Sequence, residues 1–478
     1  MPSACEDLTR PSRGFAMNQS RAPVADATRS PLYGWYVVGI LTVAYVFSYM
    51  DRSILTLLVE PIRTDLDISD TQLSLLHGFA FAMFYATLGI PIGRLADRSS
   101  RVRLIVAGVG IWSVFTAACG LARNFLELFV MRMLVGVGES VLNPCAYSII
   151  TDTAERRHLS RALSIYTMGI YIGGGAALIL GGLVVRAVLE EPTITLPLLG
   201  EVRAWKTIFF YVGLPGLLLM AVIRRTVREP MRRDRLRTAV AGKSLPLSDV
   251  FAFLRLNREV LVCHFLGFSL IQLMGNAVGL WIPTFFQRSH GWLVADAGIA
   301  FGVVLIIFGP IGALLGGALA DRYDRRHGQG GPFVVGALLA ALAAVPATAS
   351  TLVGGPWLAL ALLALLVLCF SGPIALGVSA LQQVTPNEMR GQLSAVYLLI
   401  VNFLGIGFGP TLVALITDYG FGDDSALGYS LAVVGGGASI AAALLLFAGR
   451  GAFARSLERA SVWSRSGTAG ADELTPAT

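Results

Sequence analysis

Long apolar runs alternate with short charged loops along this chain, and the length of those runs decides what it can fold into. A helix rising about 1.5 Å per residue needs about 20 mainly apolar residues to cross the hydrocarbon of a bilayer. Twelve stretches meet that rule: 34–59, 70–93, 102–122, 125–151, 160–187, 205–224, 258–286, 293–319, 331–352, 356–383, 391–417 and 427–449. Composition excludes the other way of hiding so much hydrocarbon. Of 478 residues, 55% are hydrophobic and 14% charged, whereas a single soluble core stops growing at about 250–300 residues. The 53 glycines suit helices packed closely in lipid. A soluble enzyme, a nucleic-acid binder and a disordered protein are excluded; an all-α polytopic membrane protein is expected.

Loop charges set the orientation. Arg94, Arg98, Arg101 and Arg103 follow the second span, Arg156, Arg157 and Arg161 the fourth, and Arg322, Arg325 and Arg326 the eighth. Odd-numbered exits are acidic or neutral instead, with Glu60, Asp65, Asp67 and Asp70 after the first and Asp418, Asp423 and Asp424 after the eleventh. By the positive-inside rule both termini and the basic central linker are cytoplasmic, and an even span count agrees. The expected division is a disordered cytoplasmic tail over 1–32, a six-helix bundle over 33–224, a basic linker over 225–257, a second bundle over 258–450 and a tail over 451–478. No apolar signal-peptide segment opens the chain. The five cysteines, Cys5, Cys119, Cys145, Cys263 and Cys369, have no metal-ligand spacing and read as small hydrophobes.

The chain also echoes itself. Gly93-Arg94-Leu95-Ala96-Asp97-Arg98 follows the second span, and Gly317-Ala318-Leu319-Ala320-Asp321-Arg322 follows the eighth. Leu163-Ser164 and Leu393-Ser394 form a second echo. Two pseudo-symmetric bundles joined by a basic linker make a transporter architecture, the repeats related by an axis along the membrane normal.

The first of these loops continues Ser99-Ser100-Arg101-Val102-Arg103, and resembles the signature of the major facilitator superfamily. It departs at Val102, where the signature has arginine, while the second copy keeps both Arg325 and Arg326. The resemblance implies twelve helices in two six-helix bundles. Physically the loop suits a conformational latch, in which Asp97 at a helix end pairs with arginines or a helix N-terminus. Gly93, Asp97, Arg98, Arg101, Asp321, Arg322 and Arg325 are its candidate members.

Four ionisable residues stand inside apolar spans: Asp51 and Arg52 in the first, Arg132 and Glu139 in the fourth. Each costs at least about 2.5–3.5 kcal/mol at the bilayer centre, so such residues mark ion or substrate pathways. Arg132 and Glu139 are two helical turns apart and share a face. Asp51 reaches the depth of Arg132, so Asp51 is expected to pair with Arg132 or Arg52, with Glu139 deeper in the same cavity. A carboxylate that exchanges its proton for contact with an arginine is the minimum machinery for proton coupling.

Tyr49-Met50-Asp51-Arg52, Asp70-x-Gln72-x-x-Leu75-Leu76 and Gly136-Val137-Gly138-Glu139-Ser140 together resemble the spinster group of major facilitators, most strongly over 34–182. That resemblance implies transport of lysophospholipids or sphingoid phosphates, proton-linked in several members, through Asp51, Arg52, Arg132 and Glu139. The cationic residue that animal members carry on the seventh span is not evident; that span offers His264, Gln272 and Asn276. The glycines from Gly173 to Gly182 partly resemble the antiporter motif of drug exporters, but the expected Gly-Pro falls on Ala177-Leu178, and close helix packing accounts for them. His77, Asn143, Tyr166, Tyr171, Gln272, Asn276, Gln382, Gln383 and Asn402 are candidate cavity-lining residues.

The function expected is a secondary active transporter, moving an amphiphilic lipid-like or organic anion with protons across a bacterial inner membrane by alternating access. A small-acid symporter or drug antiporter of the same fold is the alternative. No catalytic constellation, metal cluster, cofactor loop or nucleic-acid partner is expected; the partners are the bilayer, the anion and protons.

Overall fold

The computed structural model describes residues 31–154, 158–188, 193–196, 200–230, 253–385 and 390–472. The first 30 residues and most of the basic linker, with the arginines from Arg232 to Arg237, lie outside them, as do Arg156 and Arg157.

The first span is α1 (Pro31–Ile54), prolonged by a 3-10 turn at Leu55–Leu57. A short helix, α2 (Val59–Leu66), then lies across the end of the bundle and stops at Asp67, whose φ of 51° is left-handed. The next helix, α3 (Asp70–Ser74), opens on a capping box: Ser69 Oγ accepts from the Gln72 N–H, and the Gln72 side chain accepts from the Ser69 N–H. A π turn at Leu75–Phe79 and α4 (Ala80–Arg98) complete the second span. The third is α5 (Arg101–Cys119); the fourth is split at Ser140 and Val141 into α6 (Phe125–Glu139) and α7 (Leu142–Thr153). The fifth and sixth are α8 (Leu159–Val188) and α9 (Ala204–Thr226).

In the second half, α10 (Arg258–His290), α11 (Val294–His327), α12 (Gly331–Leu352) and α13 (Pro356–Val384) are the seventh to tenth spans. The eleventh joins α14 (Arg390–Asn402), a π turn at Phe403–Phe408, α15 (Gly409–Leu415) and a π turn at Ile416–Phe421. The twelfth, α16 (Leu427–Asp472), runs well past residue 449 without a break. Ten helical stretches are long and apolar enough to cross a membrane; the second and fourth spans, each assembled from pieces, complete the twelve.

Two features depart from the sequence reading. The connection between the fifth and sixth spans is a hairpin rather than a plain loop: β1 (Thr193–Leu196) pairs antiparallel with β2 (Gly200–Arg203), Thr193 opposite Arg203. Threonine and isoleucine favour strands, and Gly200 supplies a φ of 71° at the start of β2. Three spans are also locally over- or under-wound, because π turns and a break interrupt the runs that hydropathy reads as continuous.

Close backbone approach holds the halves together. On α8 and α11, a Cβ at Gly175 would lie 2.5 Å from the Gly302 carbonyl oxygen, and one at Gly302 would lie 2.6 Å from that of Gly175. Gly182 meets the Ala295 carbonyl in the same way, while Gly173 lies against Val46 of α1. The glycine run of the fifth span therefore packs against both halves. A second crossing sets the π turns at Leu75–Phe79 and Phe403–Phe408 against each other, with Gly78 beneath the Ile406 carbonyl. Cys119, Cys145 and Cys369 are buried and unbridged.

The substitution Gly302→Val tests the first crossing. Overpacking there is expected to cost about 1–3 kcal/mol in unfolding free energy. Gly279→Ala, with nothing within 4 Å of the added methyl, is expected to leave unfolding of the purified protein unchanged.

Candidate functional site

The ionisable residues of the first and fourth spans meet as two crossed pairs. Asp51 Oδ1 accepts from Arg132 Nη1 at 3.0 Å, and its other oxygen accepts from Thr116 of α5. Arg52 Nε donates to Glu139 Oε2 at 2.6 Å, and Ser48 donates to the same oxygen. Asp51, Arg132 and Glu139 expose 2%, 0% and 1% of their surface, so the first pair is shut away from solvent and the second is reached only at Arg52. Consecutive positions on α1 point about 100° apart; Asp51 is therefore turned to one turn of α6 and Arg52 to another, which lies two turns on. Thr116 and Ser48 escape a search for ionisable residues, since a hydroxyl in an apolar span is more often a local hydrogen-bonding group.

The Arg52 guanidinium is wrapped by aromatic rings. Its carbon lies 4.3 Å from the centre of Phe81, 4.8 Å from Tyr85 and 5.0 Å from Tyr49. Asn143 joins this shell by donating to the Tyr85 hydroxyl at 2.8 Å and accepting from Tyr166 at 2.7 Å. Tyr166 stacks on Tyr45, and Tyr171 reaches the other half by donating to the Ser371 carbonyl at 3.4 Å. Arg132 Nε and Nη2, Glu139 Oε1 and His77 Nδ1 are buried without a hydrogen-bond partner. Buried polar atoms are normally satisfied, and here four beside two ion pairs are not.

The second half contributes less than its sequence suggests. Asn276 donates back to the Gln272 carbonyl at 2.8 Å, Gln272 packs against Gly405, Gln383 meets Ser379 at 3.2 Å and Gln382 is exposed. Among the described residues, no hydrogen bond links these side chains or Asn402 to the ion pairs. His264 is enclosed by Phe265, Phe268, Phe333 and Tyr397, its Nε2 2.7 Å from the Gly377 carbonyl oxygen.

At the face where the linker leaves the bundle, Arg101 is buried and bound to Asp152, to Ser148 Oγ at 2.7 Å, to Glu229 at 2.8 Å and to the Pro230 carbonyl at 3.1 Å. Glu229 also accepts from the Val102 N–H at 2.9 Å and from Ser100 at 2.7 Å. The loop motif is thus tied to the start of the linker. The side chains of Gly93, Asp97 and Arg98 lie outside the described residues. Asp321, Arg322 and Arg325 are exposed and, among the described residues, form no ion pair, because α11 stays helical through His327 and presents them to solvent. Asp324 instead accepts from the Gly331 N–H at 2.7 Å.

The opposite face holds a cluster that loop charges alone do not reveal. Arg288, near the end of α10, grips Asp70 with two bonds of 2.6 and 2.9 Å and Glu60 with one of 2.7 Å. Arg63 lies 3.0 Å from Asp70 and 2.8 Å from Asp424, and the Thr71 N–H and hydroxyl donate to Asp418 at 2.8 and 2.7 Å. Asp70 is fully buried. Glu60, Arg63, Asp70 and Thr71 belong to the first half, and Arg288, Asp418 and Asp424 to the second. Among the described residues, the ion pairs between the halves all lie at this face, Arg186 with Asp296 being the other. The seventh span does carry a cation, then, and it serves this clamp. A lone arginine at an exit on the acidic or neutral side was the available signal.

This arrangement, two six-helix bundles around buried charge pairs and clamped at one face, defines a membrane transporter and not an enzyme. The chain belongs to the Major Facilitator Superfamily, which residues 41–410 match. It is 26% identical over 389 residues to an MFS-type efflux pump of Mycolicibacterium smegmatis, covering 81% of this chain and 85% of that one. It is also 26% identical over 398 residues to Protein spinster of Drosophila melanogaster, covering 80% of this chain and 62% of that longer protein. A crystal structure of a bacterial homologue of the human lysosomal transporter Spinster, inward-facing and unoccupied, superposes with a TM-score of 0.72 at 25% identity, over 90% of this chain and 99% of that one. The fold and the spinster resemblance are as the sequence implied.

Two outcomes are expected. In Arg288→Ala, Asp70 loses its two-bond partner, and breaking a buried pair costs roughly 3–5 kcal/mol. Spin labels at Thr64 and Tyr419, in a cysteine-free background, should then report a long-distance population raised by more than about a hundredfold. At the linker face, burial raises the Glu229 carboxyl, but its bonds to Val102, Arg101 and Ser100 outweigh this and hold it below its ordinary value of 4.5. A depressed carboxyl stabilises the fold above its unfolded value and loses that contribution as pH falls through its folded one. The thermal midpoint of wild type should therefore exceed that of Glu229→Gln at pH 7, and the gap should close as pH falls below 4.5.

Proposed function

We propose that this chain is a proton-coupled secondary transporter, its linker face in the cytoplasm of a bacterium, that carries an amphiphilic lipid-like or organic anion across the inner membrane by alternating access. The observation that carries the reading is the crossed pair of buried ion pairs between the first and fourth spans. Two carboxylates and two guanidiniums in one bundle cost far more to bury than helix packing needs. Arg132 and Glu139 keep buried atoms without a hydrogen-bond partner, so each has room for a second partner in exchange.

Arg52 is the cation most open to exchange, with 13% of its side chain exposed. An anion that binds it displaces Glu139; Glu139 then takes a proton and becomes neutral, which a closed, dry intermediate tolerates. Asp51, held by Arg132 and Thr116, is the second carboxylate of the cycle. The aromatic rings around Arg52 suit a substrate whose charged head joins an apolar body, which agrees with the relatedness to spinster. In this reading the cycle, with the far face clamped, opens at the linker face. The Mycolicibacterium relative supports a second reading, outward movement of an amphiphilic compound through the same cavity.

Purified protein in liposomes holding a pH dye tests this. Adding lysophospholipids, sphingoid phosphates or small organic acids to wild type should drive proton movement. Asp51→Asn and Glu139→Gln should each slow it by about a hundredfold. Response to small acids alone would remove the amphiphile and keep the transporter. Unaltered proton flux in both variants would make the four charges structural and overturn the mechanism.

A further inference from the structure

A groove of about 870 Å³ runs along the outer, lipid-facing side of the first bundle, between α5 and α9. It lies apart from the ion pairs and from the contacts between the halves. Nearer the far face these helices touch: a Cβ at Gly213 would lie 2.7 Å from the Ala117 nitrogen, and Gly216 sits directly against Ser113. Met220 of α9 still closes on Gly110, where a Cβ would lie 2.8 Å from its sulfur; around Ala107, toward the linker face, the groove is lined by both helices. Val106, Ile111, Val114, Phe115 and Met220 make its walls apolar.

Its linker end is cationic. Arg103, in the first turn of α5, and Arg224, in the last turn of α9, both border the groove and are exposed. Neither guanidinium forms a hydrogen bond or ion pair among the described residues. Glu229 also borders it, but both its oxygens are engaged by Ser100, Arg101 and Val102. Two guanidiniums that have no partner among the described residues therefore border the linker end of an apolar slot. Basic pockets between spans at a membrane surface select anionic lipid headgroups.

We infer that the groove between α5 and α9 is a binding site for one anionic diacyl phospholipid, its phosphate held by Arg103 and Arg224 and an acyl chain lying along Ala107, Gly110 and Val114. Chemistry separates this occupant from others. A zwitterionic lipid fills the slot but cancels its own charge at the arginines, and a free phosphate meets the arginines but gains nothing from the slot. The lipid is a resident one rather than cargo, because the groove opens on the outer side of a single bundle. It also covers the first turn of α5, where Arg101 anchors the linker through Glu229.

Native mass spectrometry of the purified full chain, titrated with phosphatidylglycerol and with phosphatidylcholine of the same acyl chains, tests the inference. Wild type should hold one phosphatidylglycerol about tenfold more tightly than phosphatidylcholine. R103Q/R224Q should lose that preference while unfolding at the wild-type temperature in neutral detergent. Ala107→Trp, which fills the slot with both arginines intact, should lose the tight phosphatidylglycerol as well. Preference retained in the double variant, or binding retained with the slot filled, overturns the site. So does displacement of the lipid by millimolar glycerol phosphate, which would assign the arginines to a soluble anion. None of these readouts depends on transport, so the proton mechanism can fail and leave this site standing.

Discussion

Everything in the first bundle is arranged around charge that lipid cannot solvate. Asp51 and Arg52 are neighbours on one helix, and each needs a counter-charge within hydrogen-bond reach, because an unpaired ion at that depth is not tolerable. The fourth span supplies both, at Arg132 and Glu139 two turns apart, and the two pairs fix the rotation and depth of the first span against the fourth. Glycines at 136 and 138 let neighbouring backbones close in beside them: a Cβ at Gly136 would lie 2.8 Å from the Phe81 carbonyl oxygen, and one at Gly138 would lie 2.7 Å from the Trp112 nitrogen. The break after Glu139 falls immediately beyond the second pair, where the helix has discharged its role in holding it.

Charge also distinguishes the two faces of the molecule. At the far face the attraction runs between halves, through Arg288 and Arg63 against Asp70, Glu60 and Asp424. At the linker face, among the described residues, it runs within one half, through Arg101 against Asp152 and Glu229. A clamp between halves resists their separation, whereas a network inside one half moves with it as a body. The same asymmetry leaves the second copy of the loop motif, at Asp321 and Arg322, facing solvent.

Much of this was legible before any coordinates. Span count and helical class follow from the apolar runs, the repeat from its two loop motifs and the family from the resemblance those motifs carry, while charges inside the runs single out Asp51, Arg52, Arg132 and Glu139 as residues that need partners. The choice between two pairings for Asp51 did not follow, since Arg52 lies beside it in sequence while Arg132 lies opposite it in space. Arg288 was passed over because a cation near a span end reads as an anchor until its partners are known. The cavity-lining candidates divided by half: Asn143 and Tyr166 join the shell around Arg52, whereas the glutamines and asparagines of the second half stay apart from it. A polar residue in a span reveals that it needs a partner, not which neighbour provides it.

By itself, the sequence determined that the chain lives in a membrane, because hydropathy and backbone hydrogen bonding act along about 20 residues at a time and need no tertiary partner. It determined which side chains must be paired, because the cost of burying charge is a property of the residue and its depth. The tertiary structure decided who pairs with whom, which face is clamped and where the lipid-facing surface becomes a groove. Those outcomes depend on helix rotation to within a fraction of a turn and on backbone approaches of a few ångströms, set by glycines, π turns and one helix break. No local pattern encodes them, since they belong to residues dozens to hundreds of positions apart.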